Sequence, residues 1–171
     1  MTNQEKNTYV KEQLTRALFE ELKEKELKDI SISQLAEAAG VNRVSFYRSF
    51  KTKEDIITNW MYQTLVAWIA EHKDPDDPSS TEGNAFIRML FQYLMHYQEI
   101  YKRLYKRGLL ELFRQAMLKF HDPKLLPDNY TAYGVSFMVN GMYGWIEEWV
   151  ARGMIDTPEA MYAVLDSQNK G

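Results

Sequence analysis

Residues 31–55 read SISQLAEAAGVNRVSFYRSFKTKED, and this one stretch holds three helix starts and a helix stop. Ser31 followed by Gln34 makes a capping box, in which each side chain satisfies a free backbone N–H near a helix start. Gly40 supplies the left-handed backbone that ends a helix, and Asn42 is a good N-cap for the next. Thr52, with Glu54 and Asp55 in the first turn, opens another helix where the helix dipole favours carboxylates. The punctuation predicts a short helix over 32–39, a tight turn, a second short helix reaching Phe50, and a long helix over 53–71. Upstream, Val10, Leu14, Leu18 and Leu22 recur every four positions, the stripe of a helix over 8–25 that needs a partner to cover it. Two short helices joined by a tight turn and braced by a third form a helix-turn-helix unit, whose second member can lie in the DNA major groove.

The rest of the chain also reads helical. Stretches at 83–97, 99–120, 128–152 and 158–167 carry helical spacing, the last with Thr157 as N-cap and Pro158 at the first helical position. HKDPDDPSSTEGN at 72–84 and HDPKLLPDN at 121–129 read as loops. With no alternating strand pattern and no internal repeat, the expected fold is all-α: an N-terminal three-helix helix-turn-helix domain over 1–53, linked through helix 53–71, and a C-terminal helical bundle over 54–171 for ligand binding and dimerisation.

Charge divides along the same line. Residues 1–53 hold ten Lys/Arg and eight Asp/Glu, a net +2, while 54–171 hold eleven and sixteen, a net −5. Between Glu37 and Glu54 lie Arg43, Arg48, Lys51 and Lys53 with no acidic residue among them. A locally basic head on an acidic body suits an anionic partner bound through one face, with chance clustering on a solvated surface as the alternative. Other classes find little support. The chain has no cysteine, which removes disulfides, thiolate metal sites and a Cys nucleophile. The polar start MTNQEKNTYVKEQ lacks the apolar core of a signal peptide, and the longest apolar run, LVAWIA at 65–70, is far short of a membrane span. A cytoplasmic protein without membrane contact is expected. His72, His96 and His121 lack metal-site spacing, the adjacent Glu147 and Glu148 point in different directions on a helix, and no phosphate-cradling glycine loop occurs. No catalytic residue, metal or cofactor is expected.

In NRVSFYRSF the sides divide as a recognition helix requires. Val44 or Phe46, with Phe50, can face the bracing helix, while Asn42, Arg43, Ser45, Tyr47 and Arg48 are presented outward. Arg and Asn hydrogen-bond base edges bidentately, whereas Ser, Tyr and Lys mostly meet phosphate. Ser31 joins this DNA-facing set, and Lys53 adds its charge to a helix start expected to attract a phosphate. An ordinary helical corner with a solvated basic face is the competing reading.

The stretch ISISQLAEAAGVNRVSFYRSFKTKEDII resembles the helix-turn-helix signature of the tetracycline-repressor (TetR/AcrR) family, with Ala36, Ala39, Gly40, Val41, Tyr47, Phe50, Lys53 and Glu54 in register. The resemblance covers residues 8–60. It implies a homodimeric one-component transcription regulator, a repressor or an activator, with repressor the expected label, bound to double-stranded DNA at a palindromic operator and switched by a small molecule in the helical body. It also implies phosphate contacts for Tyr47 and Lys53, and groove-facing positions for Asn42, Arg43, Ser45 and Arg48. Asn42 stands where Ser is commoner, and Val44 where a small residue is common. The tail GMYGWIEEWVARGMIDTPEAM is similar to a Firmicutes-type subset that includes regulators of dihydroxyacetone kinase genes.

Within the body, an aromatic and Met-rich series at helical spacings, including Met89, Tyr93, Tyr97, Tyr101, Phe113 and Met117, together with Met138, could line a pocket for a small apolar or aromatic effector. Plain core packing is the competing reading for each. Phe137, Gly141, Trp145 and Trp149 recur every four positions, and Gly134, Gly141 and Gly144 remove bulk where another helix could approach. A two-fold dimer is expected there, with helix 158–167 packed beside it, against the alternative of close contact within one chain. A second function also fits the residues: a helical regulator controlled by a protein partner, with no small-molecule pocket.

Overall fold

The computed structural model describes residues 2–74, 76, 83–120 and 126–168. Among these it contains nine α-helices and no strand: α1 (Asn3–Glu21), α2 (Ile32–Ala38), α3 (Arg43–Ser49), α4 (Lys53–His72), α5 (Gly83–His96), α6 (Gln98–Lys106), α7 (Glu111–Phe120), α8 (Asn129–Ala151) and α9 (Pro158–Gln168). The loops expected at 72–84 and 121–129 fall mostly outside the described residues, as does His121. Two compact units divide the chain, Met1–Met61 and Tyr62–Gly171, with the boundary inside α4.

The N-terminal unit is built as its punctuation requires. Ser31 Oγ accepts from the Gln34 backbone N–H while Gln34 Oε1 accepts from the Ser31 N–H, closing the capping box at α2. Gly40 stands at φ +65°, and Val41 N–H donates back to Ala36 C=O at 2.9 Å, satisfying carbonyls that α2 would leave orphaned. Asn42 Oδ1 caps α3 by accepting from Ser45 N–H at 2.8 Å. Helix α1 starts five residues earlier than its apolar stripe suggests, because Thr2 and Glu5 form a further capping box that carries the helix over a polar first turn. Leu14, Leu18 and Leu22 are fully buried, α1 packs on both α2 and α3, and Phe46 and Phe50 fill the space between.

In the C-terminal unit the single helix expected over 99–120 is two helices. Gly108 sits at φ +66° and Leu109 N–H donates to Leu104 C=O, so α6 ends in a glycine cap and the chain turns before α7. Without a side chain, glycine takes that left-handed conformation freely, and the apolar periodicity on either side runs through the break unaltered. Helix α8 packs against α6 and α7, and α9 packs chiefly on α5 rather than lying flush along α8. An open groove of about 410 Å³, lined by Trp145, Trp149, Met161 and Val164 among others, separates the last turns of α8 from α9.

The expected self-complementary stripe on α8 is only partly a surface stripe. Phe137 is 83% exposed, whereas Trp149 is 2% exposed, stacks edge-on against Phe91 and donates its indole N–H to Asp156 C=O. A spacing of four advances about 40° beyond a full turn, so from Phe137 to Trp149 the stripe rotates by about 120° and turns into the core. Trp149 is therefore a core residue of its own chain, a correction to its expected place at an interface. Tyr130, Tyr133, Gly134, Phe137, Gly141 and Gly144 remain exposed. A Cβ built on any of these three glycines meets nothing within 4 Å among the described residues, so close packing within the chain does not explain them.

Candidate nucleic-acid interface

Helix α3 is short and anchored on one side only. Phe46 is fully buried, and at about 100° per residue Val44 and Arg48 each lie about 160° around the helix from it, flanking the outermost line of α3. Tyr47 and Arg43 continue this face on one side; Tyr47 is 54% exposed, with its ring edge against Phe46. Ser45 lies on the other side, toward α1. Of Val44 and Phe46, weighed together as possible bracing residues, only Phe46 is buried, while Val44 is 65% exposed.

The expected DNA-facing residues are thus gathered at one end of the unit, though several carry local duties. Ser31 and Asn42 are exposed but spend their side-chain oxygens on caps; the Asn42 amide N–H groups stay outside that cap. Arg43, Tyr47, Arg48 and Lys51 are exposed. Sequence reasoning missed the flank supplied by α1. Asn3, Lys6, Asn7 and Tyr9 join Ser45, Arg48 and Ser49 around a cleft of about 610 Å³, and Ser49 Oγ donates to Asn7 Oδ1 at 3.1 Å. The signal was present in Thr2-x-x-Glu5, since extending α1 back to residue 3 is what carries Lys6 alongside α3.

Lys53 corrects the expectation placed on it. Its ammonium donates to the carbonyls of Leu27 and Ile30, at the start of the 3-10 turn Leu27–Asp29 and just past its end. The helix start beside it is also taken, because Asp55 Oδ2 accepts from the Lys51 and Thr52 N–H groups. A charge held by two carbonyls is a fastening within the unit, and a phosphate arriving there would compete with a carboxylate. Lys53→Met is expected to lower stability by about 1–2 kcal/mol, the value of charge-assisted hydrogen bonds discounted for partial exposure, and to leave the salt dependence of DNA binding unchanged. Denaturant melts and affinities over a salt series check it. A salt slope lower by about one with unaltered stability would restore the phosphate contact.

In the C-terminal unit the expected pocket residues part company. Tyr93, Tyr101 and Phe113 are fully buried and Met89 nearly so. Thr64 Oγ1, Tyr93 OH and Tyr101 OH form a chain of hydrogen bonds at 2.8 and 3.0 Å, and Tyr97 packs against the Tyr93 ring. Burial pushes the Tyr93 hydroxyl from its ordinary 10 up to about 12 and raises that of Tyr101 well above the usual range. Stability held by these neutral phenols is fully present below pH 10 and is lost as pH rises through about 12. Tyrosinate absorbance in an alkaline titration is therefore expected to show Tyr93 and Tyr101 ionising only together with unfolding; their reversible ionisation in the folded protein near pH 10 would contradict it. Met117 and Met138 instead line a small apolar void of about 30 Å³ with Leu65, Phe86, Leu90 and Met142. One turn beyond Leu65, Trp68 stacks on His72 at 3.8 Å, and its buried indole N–H has no hydrogen-bond partner among the described residues.

The described residues contain no group of three or more His, Asp or Glu side chains able to hold a metal ion, and no helix long and apolar enough to cross a membrane. None of the curated proteins matches the chain. Residues 14–58, from the middle of α1 into the first turns of α4, match the family model for bacterial regulatory proteins of the tetR family. With that match laid over the exposed face of α3, the N-terminal unit is a tetR-type helix-turn-helix domain, and the chain is a DNA-binding transcription regulator.

Proposed function

We propose that the chain works as a homodimer on a palindromic operator, and that a small apolar or aromatic effector in the C-terminal unit changes its hold on DNA. The observation that carries the reading is the outward face of α3, where Arg43, Val44, Tyr47 and Arg48 are exposed around a single buried anchor, Phe46. Arg43 and Arg48 are the base readers, able to meet guanine O6 and N7 bidentately. Tyr47, Ser45, Lys51 and, from α1, Lys6 hold phosphates on either side. The exposed aromatic and glycine face of α8 supports the dimer, since two recognition helices need a fixed separation to read two half-sites.

The effector reading rests on the apolar void lined by Leu65, Phe86, Leu90, Met117, Met138 and Met142. Drug-sized ligands need several hundred Å³, so the flexible Met117, Met138 and Met142 must repack to admit one. The smallness of the void favours a second reading, in which a protein partner controls the regulator and no small molecule enters. The similarity of residues 141–161 to regulators of dihydroxyacetone kinase genes lies outside the matched segment and names no effector.

Selection of bound sequences from a random DNA pool tests the main reading. An imperfect palindrome is expected, with Arg43→Ala and Arg48→Ala each costing roughly 1–3 kcal/mol at the selected site and much less on unrelated DNA. Enrichment of no sequence, or unchanged binding in both variants, would remove α3 from the interface. Native mass spectrometry separates the two modes of control: a co-purified small molecule supports the effector, and a chain that never carries one supports the protein partner.

A further inference from the structure

We infer that Val44 is a base-reading residue that recognises the 5-methyl group of thymine in the major groove, an inference that rests on the DNA-binding reading of α3. An apolar side chain 65% exposed on a seven-residue helix gains nothing for the fold by being there. Its position is the informative part. Val44 and Arg48 are one turn apart and flank the line of α3 farthest from Phe46, so a groove that admits this helix meets these two side chains first.

Their chemistry differs in a way the major groove distinguishes. Arg48 offers a fork of N–H donors, while Val44 offers two methyl groups and no donor or acceptor. Among the groups on major-groove base edges, the thymine methyl is the apolar one, and its natural protein partner is a small apolar side chain. Opposite a cytosine, the same valine would cover the N4 donor without accepting from it and leave a polar group unpaired. Val44 therefore contributes discrimination as well as contact. It favours thymine through methyl burial and disfavours cytosine through a lost hydrogen bond, beside a position read by Arg48.

The test replaces thymine by deoxyuridine, which removes the methyl group and leaves base pairing intact. Starting from the DNA selected by the full-length wild-type chain, each thymine is replaced singly, and binding is measured for wild type, Val44→Ala and Val44→Thr. One position per half-site is expected at which uracil weakens wild-type binding about fourfold, the worth of one buried methyl group. At that position Val44→Ala should bind thymine and uracil DNA equally, and Val44→Thr, which keeps one methyl, should fall between. Because Val44 is exposed, all three proteins should melt alike and bind unrelated DNA equally. Tolerance of uracil at every position, or a uracil penalty undiminished in Val44→Ala, overturns the assignment while leaving α3 a DNA-binding helix. If the wild-type chain selects no sequence at all, the DNA-binding reading fails and the role of Val44 falls with it.

Discussion

Phe137→Asp is expected to leave a folded monomer that binds operator DNA roughly 10²- to 10⁴-fold more weakly, the loss that follows when two linked binding events become one. Phe137 is 83% exposed in the single chain, so a charge there removes no core contact and the melting temperature of the monomeric fold should stay close to its original value. Its surroundings give the prediction its size. Tyr130, Tyr133 and Phe137 stand out from α8 beside Gly134, Gly141 and Gly144, at none of which would a Cβ meet another group within 4 Å among the described residues. Glycine inside a helix costs about 1 kcal/mol relative to alanine, and no contact among the described residues offsets three of them. A second α8 crossing at the glycines would cover the aromatics and let the two backbones approach closely. A carboxylate at Phe137 would then be buried against its own symmetry mate, two like charges out of water. Light scattering together with operator titration checks the result. A variant that stays dimeric, or a wild type that is monomeric at micromolar concentration and still binds tightly, would move the assembly surface elsewhere.

Phe46→Ala should abolish DNA binding by a different route. The ring is fully buried at the centre of the N-terminal unit and is the only buried side chain of α3. Replacing it with alanine costs about 3–5 kcal/mol, comparable with the whole stability of a small unit. Binding to specific and unrelated DNA should be lost together, at every salt concentration, with helical circular dichroism reduced at moderate temperature. Arg48→Ala should instead weaken specific binding by roughly 1–3 kcal/mol with no change in the melt, because Arg48 is exposed. The pair separates the residue that holds the helix from the residue that reads with it. If Phe46→Ala melts like the wild type, the anchoring role is wrong.

Local physics made most of the helix ends legible. Ser31 and Gln34, Gly40, Asn42, Thr52 and Thr157 act within a few residues of themselves, so their chemistry is written along the chain, and the observed caps fall on these residues. Where a local signal went unread, the boundary moved: Thr2 with Glu5 carried α1 back over its polar turn, and Gly108 cut one expected helix in two. The all-α class and the helix-turn-helix followed from these signals together with apolar spacing, which records which side of a helix avoids water.

Tertiary structure decided what each side chain is for. Lys53 looked like a phosphate contact because its charge is visible in the sequence, but the carbonyls of Leu27 and Ile30 that hold it are more than twenty residues away. Trp149 and Phe137 share a spacing of four, yet the 40° gained at each step buries one and exposes the other. Val44 and Phe46 were equal candidates to brace the domain until packing against α1 and α2 chose Phe46 and left Val44 in solvent. Composition along a helix specifies that one face will be buried. Which residues end on it, and which polar atoms are claimed before any partner arrives, depends on contacts between segments distant in sequence.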